Sequence, residues 1–342
     1  MSDATGPVTI EDVARAAGVS VATVSRALRG LDNVAQSTRE KVEIVAAELD
    51  YRANPAAAQL ATGTSRTILM AVANIAGWYC AQVVGGAEAV LSEAGYQTQV
   101  MGVAGVEARR AFVQRALQMQ RSIDGLILVD LRLDPDEIDA LRDADVHVVT
   151  IGNAYPGLSS VRPDDISAAR LAVDHLLQLG HRRIALIEGM PDDPMRTEVS
   201  WRRRDGYEQA LAHRQIAVDP DLVQSGYFSI DGAQEAMQRL LALDDPPTAV
   251  FAISDEMAMG AMGVVRDAGW SIPADVSVVG IDDHPLSQTV GLTTVRQAPA
   301  SNGAVAARWI VEDLASGEHQ LATQEVEIDL VTRQTTGAPP NR

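Results

Sequence analysis

The sequence predicts an α/β protein in which a small helical unit precedes two lobes, each wound around a parallel sheet, and three observations carry that reading. Residues 9–49 place apolar side chains at helical spacing, interrupted by Gly18. From residue 67 onward, buried-strand patterns alternate with amphipathic helices, the rhythm of βαβ units. That alternation comes as two similar sets within 342 residues, a length beyond one compact core.

In the stretch TIEDVARAAGVSVATVSRALRG, Ile10, Val13, Ala14 and Ala17 define a first helix that stops at Gly18. Ser20 is placed to cap a second helix, whose apolar stripe is Val21, Val24 and Leu28 and which ends near Gly30. Ser37 and Glu40 have capping-box spacing ahead of a third helix carrying Val42, Val45, Ala46 and Leu49. Two short helices joined at a Gly turn are the layout of a helix-turn-helix, which offers the first residues of its second helix to base edges in the major groove. Val21, Ala22, Ser25 and Arg26 occupy that face, and Arg26 has the fork that pairs with guanine. Thr9, Ser20, Thr23 and Thr38 are candidates for phosphate contact. A plain helical bundle with an ordinary surface arginine fits the helix pattern equally well.

Residues 51–64 read as a complete but very short helix, with Asn54 as N-cap, Pro55 at the first helical position and Gly63 as the stop. Isolated helices shorter than ~12 residues are marginal in water, so this one needs a packing partner. Its alanine face lets two copies approach, and Leu60 is an apolar wedge suited to a minor-groove base step. An alanine-rich interdomain linker is the alternative.

The first lobe set runs TILMAVAN, a helix to Gly95, TQVMGV, a helix, DGLILVD, a helix and VHVVTIG. The second runs from a helix ending at LLQLGH through RIALIEG, a helix through Arg203 to Leu211, TAVFAIS, a helix through Ala268, and VSVVGID. A tail helix over 303–316 and two short strands suit a chain that crosses back between lobes. The expected domains are therefore 1–50, a hinge at 51–64, and 65–342, with a first lobe of about 65–162 and 296–322 and a second of about 163–292 and 324–340. Open parallel sheets bind ligands at the carboxyl ends of their strands. There the sequence places Asn74, Trp78, Tyr79, Asp130, Asn153, Asp164, Asp255, Asp282 and Asp283. Aromatic faces and carboxylates in one cleft suit a sugar or other polyol. Structural roles stay open beside this one: Trp78 and Tyr79 in a dimer interface, Asp164 holding the crossover, Asp283 capping the next turn. His181 reads as a turn residue and Cys80 as a small buried hydrophobe.

With 46% apolar and 22% charged residues the chain is globular, and no apolar run approaches the ~18 residues of a membrane span. The N-terminus MSDATGPVTIEDV is neither basic nor apolar, so no export signal is read and a cytoplasmic location is expected. A single cysteine excludes an internal disulfide and a four-thiolate metal site, and neither metal nor cofactor is expected. The net charge of −18 argues against a general polyanion binder, and residues 1–63 alone hold six basic against eight acidic side chains. Any DNA contact must rest on where arginines and helix ends point. No GxGxxG or GxxxxGK[ST] loop occurs, and the neighbouring Asp282 and Asp283 should diverge in extended chain, so no enzyme is expected. The rivals are a glycosidase with paired carboxylates and a sugar-binding import receptor, which would need an export signal.

The segments TIEDVARAAGVSVATVSRAL, NVAQSTREKV and the hinge from Tyr51 to Leu60, with SVRPDD, LGHRRIALIEG, TAVFAISDEMAMGAM, VSVVGIDD and LTTVRQ, resemble the lactose-repressor/galactose-repressor (LacI/GalR) family over nearly the whole chain. The resemblance implies a helix-turn-helix headpiece and hinge helix followed by two Rossmann-like lobes of periplasmic-binding-protein type. It implies a homodimeric repressor on near-palindromic operator DNA, released or tightened by a small-molecule effector, foremost a sugar, with a nucleoside as the alternative. By position, Val21, Ala22 and Arg26 match base-reading residues and Ala57 and Leu60 the minor-groove hinge, while Asn33, Tyr51 and Asn54 complete the DNA-facing set. Arg203 matches the arginine that binds effector, Asp282 its acidic counterpart, and Phe228 an aromatic platform. The chain departs from the family where Ala53 precedes Asn54, where Ala58 stands at an arginine position, at Gly77-Trp78-Tyr79-Cys80, and at Ser254.

Overall fold

A computed structural model describes residues 8–28, 33–51, 64–120, 122–144, 146–190 and 198–341. The chain divides into two compact units, Met1–Ser65 and Arg66–Arg342.

The first unit holds helices α1 (Ile10–Ala17), α2 (Val21–Leu28) and α3 (Gln36–Glu48). α1 starts at a capping box, in which the Thr9 side chain accepts from the Asp12 N–H and the Asp12 carboxylate accepts from the Thr9 N–H. It ends at Gly18, whose φ of 66° places the cap in the left-handed region that favours glycine. The Ser20 hydroxyl then accepts from the Thr23 N–H at 3.1 Å, the cap expected for α2. The capping box expected at Ser37 and Glu40 does not form: α3 begins one residue earlier at Gln36, Ala35 is its cap, and no side-chain bond closes it. Val13, Ala14, Ala17, Val24, Ala27, Val42 and Ala46 bury the three inner faces together, with Tyr51 half-buried at their edge. Residues 52–63, and with them the hinge candidates Asn54, Ala57 and Leu60, lie outside the described residues.

The second unit holds two six-stranded sheets. The first comprises β1 (Thr67–Val72), β2 (Gln97–Gly102), β3 (Gly125–Val129), β4 (His147–Ile151), β5 (Ser159–Pro163) and β11 (Thr323–Val326), all parallel, in the order β11-β5-β4-β3-β1-β2. The second comprises β6 (Ile184–Glu188), β7 (Val223–Ser225), β8 (Ala249–Ala252), β9 (Ser277–Asp282), β10 (Thr293–Arg296) and β12 (Asp329–Val331), in the order β12-β10-β9-β8-β6-β7, with β12 alone antiparallel. β1 and β3 are buried at every position, as strands covered on both faces must be.

Helices α4 (Trp78–Glu93), α5 (Val106–Gln118), α6 (Pro135–Arg142) and α12 (Pro299–Ser316) cover the first sheet, and α7 (Asp165–Gln178), α8 (Glu198–His213), α9 (Ile230–Leu241), α10 (Asp255–Asp267) and α11 (Pro285–Val290) belong to the second lobe. α12 packs on α4 at backbone contact: a Cβ on Gly303 would stand 1.9 Å from the Val83 carbonyl oxygen, and one on Gly86 1.9 Å from that of Ala300.

Two expected lobe limits move. Arg296 belongs to β10 and the second sheet, and the break expected at 322 falls before a strand, Thr323–Val326, that pairs with β5 in the first. The chain thus crosses between lobes three times, near residues 164, 298 and 327. β5, β7, β10, α9 and α11 were not foreseen as elements: β7 is three half-buried residues, and the buried Thr293 and Thr294 of β10 carry too little apolar signal to read as strand. His181 does follow a turn at Gly180 but is fully buried, its ring bonded to Thr248, Ser277 and the Gly337 carbonyl. Among the described residues no helix is long and apolar enough to cross a membrane.

Candidate effector cleft and DNA-facing helix

The carboxyl ends of β1, β3 and β5 face those of β6, β8 and β9 across a cleft with about 800 Å³ of unfilled space, part of it open to solvent. Ala73, Asn74, Gly77, Trp78, Tyr79, Cys80, Asp130 and Pro163 line it from the first lobe, and Asp165, Val199, Arg203, Phe228, Ser254, Glu256 and Asp282 from the second. Strand ends are where backbone groups leave the ladder and side chains from several strands converge, so the cleft follows from the topology.

Arg203 is the centre of the charge arrangement. It projects from α8, is 4% exposed, donates from Nε to Asp165 Oδ1 at 2.8 Å and from a terminal nitrogen to the Ile253 carbonyl. Asp282 ends β9 at φ 137° and accepts from Gln297 Nε2 at 2.9 Å. Burial pushes the Asp282 carboxyl well above the usual range despite the nearby guanidinium. Asp130 follows β3 at φ 53°, its carboxylate lying over Gly152, where a Cβ would come within 2.1 Å of Oδ1. Burial, with Asp165 adding like charge and Arg203 opposing, pushes Asp130 up to about 7. Non-glycine residues with positive φ at a binding wall are held there by their surroundings, and Asp130, Phe228 and Asp282 are all of this kind.

Aromatic surface comes from both lobes. The Phe228 ring, at φ 51°, covers Gly189 so closely that a Cβ there would sit 2.2 Å from Cε2. Trp78 opens α4 and meets His284 of the other lobe with ring centroids 4.9 Å apart, tilted by 52°. Asn74 shapes the same corner, its Oδ1 accepting from the N–H groups of Ala76 and Gly77. Three buried polar atoms near this wall, Tyr79 OH, Asn302 Nδ2 and Gln297 Oε1, have no hydrogen-bond partner among the described residues. Such atoms are ready to bond water or ligand.

Seven of the nine expected effector residues therefore meet in the cleft: Asn74, Trp78, Tyr79, Asp130, Arg203, Phe228 and Asp282. Two do not. Asp164 caps α7, accepting from the Ser167 N–H at 3.1 Å and its hydroxyl at 2.5 Å, and its neighbour Asp165 takes the cleft position. Asp255 is fully buried and accepts from Ser287 Oγ and Thr294 Oγ1, each at 2.6 Å, and from the His284 N–H at 2.9 Å. It ties α11 and β10 together, while Glu256 one residue on reaches the cleft. Asp283 pairs with Arg296 and Arg333 while Asp282 bonds Gln297, so the neighbouring carboxylates have different partners, although the chain there, with φ of 137° and 56°, is not the extended stretch expected. Asn153, two residues past the end of β4, is buried and outside the lining. The Asp-x-x-Ser spacing of Asp164 to Ser167 is a legible cap signal that moves the site assignment to Asp165. Cys80 is buried and its thiol is pushed up to about 12, which disfavours the nucleophilic thiolate.

On the helical unit, Val24 and Ala27 of α2 face inward, which turns Val21, Ala22 and Arg26 outward to solvent, with Thr23 and Ser25 half-buried. Thr9 and Ser20 sit exposed at the starts of α1 and α2, Asn33 is exposed ahead of α3, and Thr38 is half-buried in its first turn.

Comparison with known proteins is consistent along the chain. Residues 9–54 match the model described as "Bacterial regulatory proteins, lacI family", and residues 173–336 match "Periplasmic binding protein-like domain". The chain is 33% identical to the HTH-type transcriptional repressor CytR of Escherichia coli (strain K12) over 97% of both chains. It is 30% identical to the HTH-type transcriptional repressor PurR of Vibrio atlanticus (strain LGP32), over 96% of this chain and 98% of that one. Among solved structures, the Lac repressor dimer bound to operator and the anti-inducer ONPF superposes with a TM-score of 0.84 at 32% identity, covering 97% of this chain and all of that one. The transcriptional regulator CelR–cellobiose complex gives 0.69 at 31% identity, over 96% and 99% of the two chains. A regulator from Enterococcus faecium with bound ribose gives 0.70 at 26%, over 80% and 99%.

Proposed function

The chain belongs to the lacI family of bacterial regulatory proteins, and on that premise we propose that it is a homodimeric, sequence-specific transcriptional repressor whose hold on operator DNA is set by a small polyol, foremost a sugar, bound between its lobes. The observation that carries the sensor reading is the meeting of Arg203, Asp165, Asp130 and Asp282 with the rings of Trp78 and Phe228 in one interlobe cleft. Carboxylates accept from paired hydroxyls, the guanidinium donates to ring and hydroxyl oxygens, and the aromatic faces cover the apolar C–H surface of a sugar ring. Similar structures that hold cellobiose and ribose support the same ligand class.

For DNA, Arg26 forks to a guanine while Val21 and Ala22 allow close approach or meet a thymine methyl, and Thr9, Ser20 and Thr38 with the helix starts take phosphates. Two copies bind a near-palindrome because the symmetry of protein and site must agree. A ligand touching both lobes stabilises one interlobe angle over another, and a coupling of about 1–3 kcal/mol between cleft and DNA suffices for control. The Trp78–His284 contact, which joins the lobes across the cleft mouth, is one interaction that this angle would make or break.

The test is calorimetric titration of the full-length protein with mono- and disaccharides and with nucleosides, beside an operator gel shift with each compound. A sugar that binds and alters the shift supports the reading and gives its sign. A nucleoside doing so in its place keeps the repressor and replaces the ligand class, and failure of the protein to bind any DNA selected from a random pool ends the regulator reading.

A further inference from the structure

At the opposite end of the first sheet from the cleft, three side chains converge that play no part in the reading above. His147 opens β4, Asp313 lies in the last turn of α12, and His319 follows the left-handed cap at Gly317 that folds the chain back over that turn. His147 Nδ1 stands 3.4 Å from His319 Nδ1 and 3.5 Å from Asp313 Oδ2, and His319 Nδ1 is 2.8 Å from the same oxygen. The Asp313 residue is 6% exposed, and its other oxygen accepts from the Gln320 N–H at 3.4 Å.

We propose that His147, Asp313 and His319 form a binding site for a divalent transition metal of the Zn2+ class. Protons alone serve this geometry poorly. If His319 donates Nδ1–H to Asp313, then His147 Nδ1 faces one N–H and one carboxylate oxygen at 3.4–3.5 Å, too long for a good bond to either. A cation satisfies all three atoms. With bonds of ~2.0–2.1 Å, ligand atoms around a tetrahedral zinc lie ~3.3 Å apart, which matches both His147 distances and asks the third to open by about half an ångström. Two imidazoles and one carboxylate suit zinc and its neighbours over magnesium or calcium, which prefer all-oxygen shells. The exposed His319 leaves the fourth position to water. The site joins β4 to the segment leading from α12 into edge strand β11, so an occupied site staples the end of the lobe at which β1 also begins.

The experiment uses full-length protein stripped with chelator, dialysed, and titrated with ZnCl2 and with CoCl2 while stability is followed by thermal unfolding. The expected result is one equivalent per chain at micromolar or tighter affinity, visible d–d bands of four-coordinate Co2+, and a rise in Tm on adding Zn2+. Losing an outer support of a metal site costs ~10–100-fold in affinity, so His319→Ala, which removes a direct ligand, should weaken binding at least ~100-fold and abolish the Zn2+-dependent rise. Metal-free His319→Ala also gives up the 2.8 Å contact to the buried Asp313, so the Zn2+-dependent change in Tm is read for each protein against its own metal-free form. Binding only at millimolar metal, or tight binding that His319→Ala and His147→Gln leave unchanged, overturns the proposal.

Discussion

Replacing Arg203 by methionine removes the guanidinium bonded to Asp165 from a buried cluster of carboxylates, and its cost can be worked out from the geometry. The Arg203–Asp165 contact is 2.8 Å between heavy atoms, with both side chains about 5% exposed. Charge centres about 4 Å apart attract by ~4 kcal/mol at an effective dielectric of 20, and breaking a buried pair from one side typically costs ~3–5 kcal/mol. Asp282 loses the same neighbour. The carboxylates can limit the damage by taking up protons. Burial already raises Asp165 and Asp282 above their ordinary value against the pull of Arg203, and without it they rise further. A native state that holds protons the unfolded chain has lost gains stability as pH falls between the unfolded and native pKa values. The deficit of Arg203→Met should therefore be about 3–5 kcal/mol at pH 8 and distinctly smaller at pH 5. Urea unfolding followed by tryptophan fluorescence at both pH values, each against the parent, measures it. A deficit below ~1 kcal/mol at pH 8, or one that stays level or grows toward pH 5, would refute the argument. Adding Asp165→Leu, which removes the stranded charge, should recover a large part of the loss.

Three further outcomes are expected. Asp130, pushed up to about 7, contributes stability as a neutral group that is fully present below pH 3.8 and is lost as pH rises through about 7, so Asp130→Asn should overtake the parent above that pH by on the order of 1 kcal/mol or more. Equal denaturation midpoints at pH 8 would count against it, and the same substitution should flatten any rise in sugar affinity between pH 6 and 8. Arg26→Ala should cost about 1–3 kcal/mol on the selected operator and relax preference at one base pair per half-site, with little change on unrelated DNA; fluorescence anisotropy on the operator and on single-base variants reads both. Gly303→Ala forces a Cβ to 1.9 Å from the Val83 carbonyl oxygen, so α4 and α12 must separate, and calorimetry should find the protein destabilised by ~2 kcal/mol or more. A Tm equal to that of the parent would show that the two helices are not held at backbone contact.

Much of the fold is legible in the sequence because the signals are local. Gly18 with the Ser20 cap, the buried runs TILMAV and GLILV, and the 3.6-residue periods between them need only neighbours in the chain to be read. What fails is local signal that is weak or shared. Ser37 and Glu40 have capping-box spacing, yet the helix starts before them because Gln36 can already join it with Ala35 as the turning residue. Short strands such as β7 and β10 have no periodicity to see, and Thr293 and Thr294 are buried because Thr336 and Asp255 bond their hydroxyls while Thr335 Oγ1 accepts from the Thr293 N–H.

By itself the sequence determined the order of helical unit and twin α/β lobes, the outward face of α2, and the rule that functional groups stand just past strand ends, all consequences of backbone period and strand direction. Only the tertiary structure decided which member of each acidic pair serves the cleft. Asp165 over Asp164 and Glu256 over Asp255 are choices of helix phase, set by which carboxylate the cap and the neighbouring hydroxyls consume. The same holds for His147, Asp313 and His319. They are separated by up to 172 residues, and only the packing of α12 on β4 brings their ligand atoms within one coordination sphere.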